Sequence, residues 1–174
     1  MSGIYLARTN QKLNFARIHL DALRDGCQSN GWNKHILIES YNESVLFHLA
    51  SAYDAFLHEI AERYNLDTSH ITSYRTLAED MELSGQECPE LAELSVLEAD
   101  NSSWLHKMVR AYEACWRATD RSAPVSAASS VSEIHVAQVN PAHTDESEIL
   151  KEYQRWFDAL RDLIDRQRSG MQEW

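Results

Sequence analysis

From about Trp32 to Asn65 the chain runs without a glycine or proline, while apolar residues return every three or four positions. Ile38, Tyr41, Val45, Leu49, Ala52, Phe56 and Ile60 mark one stripe, and Leu46, Tyr53, Leu57 and Tyr64 mark a second beside it. A helix turns once in about 3.6 residues, so this spacing collects each set on one face. A strand would scatter the same residues over both faces. Two adjacent stripes give an apolar face too wide for a peripheral helix, so this segment is expected to be central and the most buried. At about 1.5 Å per residue it could reach roughly 50 Å, so it either kinks or extends beyond its neighbours.

The same period recurs on both sides. Between Ile4 and Cys27, the residues Leu6, Thr9, Leu13, Ala16, Leu20, Leu23 and Cys27 alternate by threes and fours, and Phe15 and Ile18 widen the stripe. Gly26, Asn30 and Gly31 end that run. A shorter helix is expected from about Ile71 to Leu83, capped by Asp67, Thr68 or Ser69 and closed by Ser84-Gly85. Pro89, a residue favoured at a first helical position, opens another to about Asp100. From Trp104 to Thr119 the stripe is Leu105, Met108, Tyr112, Cys115 and Thr119.

Residues 121–143 break the pattern. They include the low-complexity run Ser-Ala-Pro-Val-Ser-Ala-Ala-Ser-Ser, followed by Val131–Val139, whose weak alternation suits an extended stretch. A last helix is expected from near Thr144 or Asp145, and Asp145 with Glu148 has the spacing of a capping box. Its stripe is Leu150, Tyr153, Phe157, Leu160, Ile164, Gln167, Met171 and Trp174, thickened by Ile149, Trp156 and Leu163. With 5 glycines and 3 prolines in 174 residues, the chain lacks the turn formers that a many-stranded fold needs. The expectation is an all-α single domain over residues 1–174. It is an antiparallel bundle of four to six helices, with a long flexible loop, 121–143, before the C-terminal helix.

The formal net charge is −11. Nucleic acids and anionic membranes draw affinity from clustered Lys and Arg, and here the densest basic group, Arg161, Arg166 and Arg168, alternates with Asp162 and Asp165. No nucleic-acid or membrane partner is therefore expected. Cys27, Cys88 and Cys115 are odd in number and share no metal spacing, as in a reduced, cytoplasmic protein. No secretory leader and no membrane span is legible, and no cofactor motif occurs.

Three constellations bear on function. Asp54, His58 and Glu62, spaced by four, share one helical face and are weak candidate metal ligands, a solvated face with i,i+4 pairing being the favoured reading. His48 falls at the edge of the apolar face and is expected to be partly buried, hydrogen-bonded to a tyrosine or to backbone. Whether it meets Glu39, Glu43, Asp54 and His58 in one cavity is not legible. Trp104, Trp116 and Trp156 flank their stripes and, with Trp174, are candidates for a partner surface.

The run Tyr41 to Glu59 (Tyr-Asn-Glu-Ser-Val-Leu-Phe-His-Leu-Ala-Ser-Ala-Tyr-Asp-Ala-Phe-Leu-His-Glu) resembles the second helix of HEPN-class bundles. That class includes RNases of toxin–antitoxin and defence systems, whose signature is Arg, four residues, then His. No arginine here has a histidine five positions on, so the resemblance implies a fold and brings no catalytic residues. The opening Tyr5 to Leu13 (Tyr-Leu-Ala-Arg-Thr-Asn-Gln-Lys-Leu) and the closing Arg166 to Trp174 (Arg-Gln-Arg-Ser-Gly-Met-Gln-Glu-Trp) resemble a family of uncharacterised gammaproteobacterial proteins, a domain of unknown function. That resemblance implies a bacterial cytosolic helical protein and supplies no activity. The leading expectation is a non-enzymatic bundle acting through protein–protein contact or as a homo-oligomer, a homodimer being the simplest. The alternatives are a HEPN-like, defence-associated module without the Arg–His pair, and a metal-dependent bundle enzyme.

Overall fold

The structure, a computed structural model, describes residues 3–117 and 146–172. Within them lie α1 (Ile4–Gln28), α2 (Lys34–Arg63), α3 (Tyr74–Ser84), α4 (Pro89–Ala99), α5 (Trp104–Ala114) and α6 (Glu146–Gln172), plus one 3-10 turn, Thr68–His70. No strand occurs among the described residues, and the all-α class holds. The expected loop 121–143 with its Val131–Val139 stretch, Thr119, the Asp145 half of the capping box, and Trp174 lie outside the described residues.

Pairwise contacts give the directions. Tyr5 stacks on His58 at 4.8 Å, Phe15 meets His48 at 5.4 Å and His19 meets Tyr41 at 6.5 Å, so α1 runs against α2. Arg168 reaches Asn10 at 2.9 Å and Arg24 reaches Gln154 at 3.4 Å, so α6 also runs against α1. Lys34 pairs with Glu146 at 3.0 Å, and Glu59 with Arg168 at 2.7 Å, which sets α6 parallel to α2. The chain enters α5 just after Glu98, which holds the Tyr53 hydroxyl at 2.8 Å, and leaves it where Tyr112 lies beside Phe47. α5 therefore runs against α2. The result is an up-down-up-down bundle of α1, α2, α5 and α6 in which α2 and α6 are the parallel diagonal. α3 and α4 cover one end between α2 and α5.

The wide apolar face of α2 has the consequence its sequence implies. Val45, Leu46, Leu49, Phe56 and Ile60 are fully buried, and Leu20 and Leu23 of α1, Leu105 and Met108 of α5, and Tyr153, Leu160 and Ile164 of α6 close on them. α2 is unbroken for 30 residues. It does not project: its first residue pairs with Glu146 and its last, Arg63, donates to the Met171 carbonyl.

Two local expectations change. Leu6 and Ile18 are exposed, because α1 packs chiefly on α2 and α6 and buries a narrow seam of Thr9, Leu13, Ala16, Leu20 and Leu23. Asp67 caps the 3-10 turn instead of α3; the chain then buries Ile71 and restarts at Ser73, whose hydroxyl accepts from the Thr76 N–H at 3.3 Å. α3 ends as expected at Gly85, whose φ of 67° suits glycine.

Candidate functional site

A groove of about 500 Å³ runs along the N-terminal half of α2 and the end of α5. α2 contributes Ile36, Glu39, Ser40, Glu43, Ser44, Phe47 and His48; Tyr112, Cys115 and Trp116 form the opposite wall. Helical spacing explains the α2 wall. Residues 36, 40, 43 and 47 step by four, three and four, so they form a third stripe beside the two that face the core. The aromatic groups make a continuous run: Phe47 meets Tyr112 at 6.4 Å, and Tyr112 meets Trp116 edge-on at 6.1 Å. Large apolar side chains stay open to water there, Ile36 at 45%, Phe47 at 43% and Trp116 at 74%. One helical turn ahead of Ile36, Trp32 is 96% exposed.

Two ionisable groups of the groove, Cys115 and His48, are held in their neutral forms. The Cys115 thiol points back along its own helix to the Ala111 carbonyl at 3.6 Å. Burial, and secondarily the Glu43 carboxylate, push it up to about 11, so the thiol stays protonated near neutral pH. His48 packs between Phe15, Phe47 (5.2 Å) and His19 (4.8 Å). Its Nδ1 and that of His19 are buried without a hydrogen-bond partner among the described residues, so the expected hydrogen bond to tyrosine or backbone is not made at that atom. Burial, then His19 and Lys12, lower its pKa to about 4 and keep the imidazole neutral.

Of the residues whose convergence the sequence left open, Glu39, Glu43 and His48 line this groove and Asp54 and His58 do not. His58 bonds through Nδ1 to the Asp54 carbonyl oxygen at 2.8 Å and stacks on Tyr5, while Glu62 accepts from the Tyr5 N–H at 3.4 Å. Asp54 and His58 thus pair along the helix surface, their side chains 3.9 Å apart, while Glu62 turns to the start of α1. Among the described residues no three His, Cys, Asp or Glu side chains are placed to hold one metal ion.

The tryptophans separate. Trp116 forms one wall of the groove, Trp104 is half-buried against the core, and Trp156, at 4% exposure, stacks on Tyr153 at 5.2 Å inside the bundle. Trp156 is therefore a core residue: its flanking position on α6 is covered because α6 packs against α1, α2 and α5 at once. Ile36, Phe47 and Tyr112 went unnoticed in the sequence. Ile36 and Phe47 belong to a third stripe on α2, and Tyr112 to the apolar stripe of α5, and spacing alone cannot distinguish either from core.

A second concave site lies at the opposite end of α2, about 500 Å³ between Arg63, Tyr64, Glu87, Pro89, Glu90, Gly170 and Met171. Arg63 donates to the Met171 carbonyl across it. Buried Glu90 accepts from the Tyr64 hydroxyl at 2.8 Å and the Cys88 thiol at 3.1 Å.

The model of DUF6586, a family of unknown function, matches residues 1–174. The chain belongs to that family. No curated protein and no solved structure matches it. The family carries no activity to transfer. No helix among the described residues is long and apolar enough to cross a membrane.

Proposed function

We propose that this protein is a contact module that docks another protein chain along the α2–α5 groove, without chemistry of its own. One observation carries this reading: Phe47, Tyr112 and Trp116 form a continuous aromatic run open to water, with exposed Ile36 at the other end of the same groove, which is two helices wide. Apolar atoms left in water represent unrealised burial, worth about 25 cal/mol per Å² once covered. Aromatic side chains in a concave patch are the groups that dominate binding energy at contact surfaces. The neutral imidazole and protonated thiol in the same groove fit a binding surface better than a reacting one.

The test is site-specific. A photo-crosslinking phenylalanine is placed at position 116, at position 47, and, as a control, at exposed Leu83 on the far α3 end, in the full chain within its host cell. One defined protein adduct, identified by mass spectrometry, is expected from positions 116 and 47 and absent from 83. The same diffuse adducts from all three positions, or none from 116 and 47, would contradict a docking groove.

A further inference from the structure

The groove's charge indicates what it takes, and resting on the contact reading above, we infer that its occupant is an amphipathic helix of a separate protein bearing lysine or arginine beside its apolar stripe. The groove is lined by parallel helical rows, and from Ile36 to Phe47 it spans roughly 16 Å, about three turns of a docked helix. Between those apolar ends lies Glu43, exposed and without an ion pair among the described residues, with Glu39 one turn earlier. Beside the other wall, Arg110 and Arg117 both address Glu113, at 2.7 and 3.7 Å, and Lys12 of α1 lies over the Phe47 ring, 5.0 Å from its centre, at the far end of the groove. An incoming apolar helix therefore meets the exposed Glu43 carboxylate midway along its track. A basic residue there is attracted, and an acidic one is repelled. A second copy of this chain is the poorer fit, because it brings the same net charge of −11 and a groove edged by the same carboxylates.

The experiment titrates the full chain with three synthetic helices of about 14 residues that share a leucine stripe and differ in flanking residues, lysine, glutamine or glutamate. Binding is followed by amide NMR shifts and by light scattering. The lysine helix should perturb residues 36–47 and 112–116 and bind at least about tenfold tighter than the glutamate helix. Glu43→Gln should erase most of that difference, and Trp116→Ala should weaken the lysine and glutamine helices alike. Equal affinity for all three helices at the groove would overturn the charge inference and leave the docking reading intact. Shifts outside the groove, insensitive to Trp116→Ala, would overturn both. A dimer in light scattering that protects residues 36–47 without added peptide would make a second copy the occupant and overturn the inference.

Discussion

At the scale of single residues, His48 makes the groove floor sensitive to acid. Its imidazole is held neutral down to about 4, first by burial and then by His19 and Lys12, whereas in the unfolded chain it titrates near 6.5. Above pH 6.5 both states are neutral at this site and it adds nothing. As pH falls from 6.5 towards 4 the unfolded state takes the proton and the folded state resists it, so folding loses stability through that window. The side chain is only partly buried and water screens its neighbours, so the loss should be about 1–2 kcal/mol. Urea melts at pH 7 and pH 4.5 measure it. His48→Leu should remove that part of the pH dependence, and an unchanged difference would assign it to other groups. The thiols give a second expectation. Cys88 is pushed up to about 12 and Cys115 to about 11, burial leading in both, so labelling of the folded chain by iodoacetamide at pH 8 should be much slower than in urea. His48 shows what a sequence can and cannot say of one residue. Its place between Val45 and Leu49 was enough to put it at the edge of the buried face. Its ring neighbour His19 comes from another helix 29 positions earlier, and linear spacing holds no trace of that register.

At the scale of elements, boundaries follow capping chemistry more closely than apolar period. The apolar period from Ile71 placed a helix here but started it three residues before Tyr74, because several hydroxyl and carboxylate residues ahead of it were each able to cap. Asp67 and Ser73 both do so, in succession, because the chain needs a 3-10 turn to bring Ile71 into the core before the helix starts. The Ser73 cap is reciprocal, with the Thr76 hydroxyl accepting from the Ser73 N–H at 3.1 Å. Ser73→Ala should cost about 1 kcal/mol. Gly85→Ala should cost a similar amount, because a φ of 67° brings a Cβ towards the carbonyl even though open space surrounds it. Hydrogen exchange should show both losses concentrated in α3 and α4, with the α1–α2 pair unaffected. Exchange accelerating evenly through the bundle would mean that the hairpin and the bundle open together. The same logic explains why the groove was half legible. Trp116 stood out as a flanking aromatic, whereas Ile36 and Phe47 belong to a stripe with core spacing, exposed only because α5 ends opposite them.

At the scale of the whole molecule, most of the long helices' pairing is apolar and tolerant of sliding, so something must fix the register. Arg168 of α6 is placed to do this. It forks onto both carboxylate oxygens of buried Glu59 on α2, at 2.7 and 2.8 Å, and its remaining nitrogen reaches Asn10 of α1 at 2.9 Å. Three helices from the two ends of the chain meet at one guanidinium, and a one-turn slip of any of them would break the fork. A buried pair of this kind is costly to split and cheap to replace, since the desolvation of both charges offsets much of their attraction. Arg168→Met should therefore cost about 3–5 kcal/mol by leaving Glu59 charged and unpaired, whereas Arg168→Met with Glu59→Met should recover most of that loss. Denaturant titration of the two variants separates the outcomes. If the double variant is as unstable as the single one, the arginine acts through packing of its stem and not through charge. If the double variant recovers its stability but its amide spectrum broadens around α1 and α6, the pair contributes register more than energy. A bundle held that way keeps the α2–α5 wall fixed while α5, the shortest side of the square, supplies the groove.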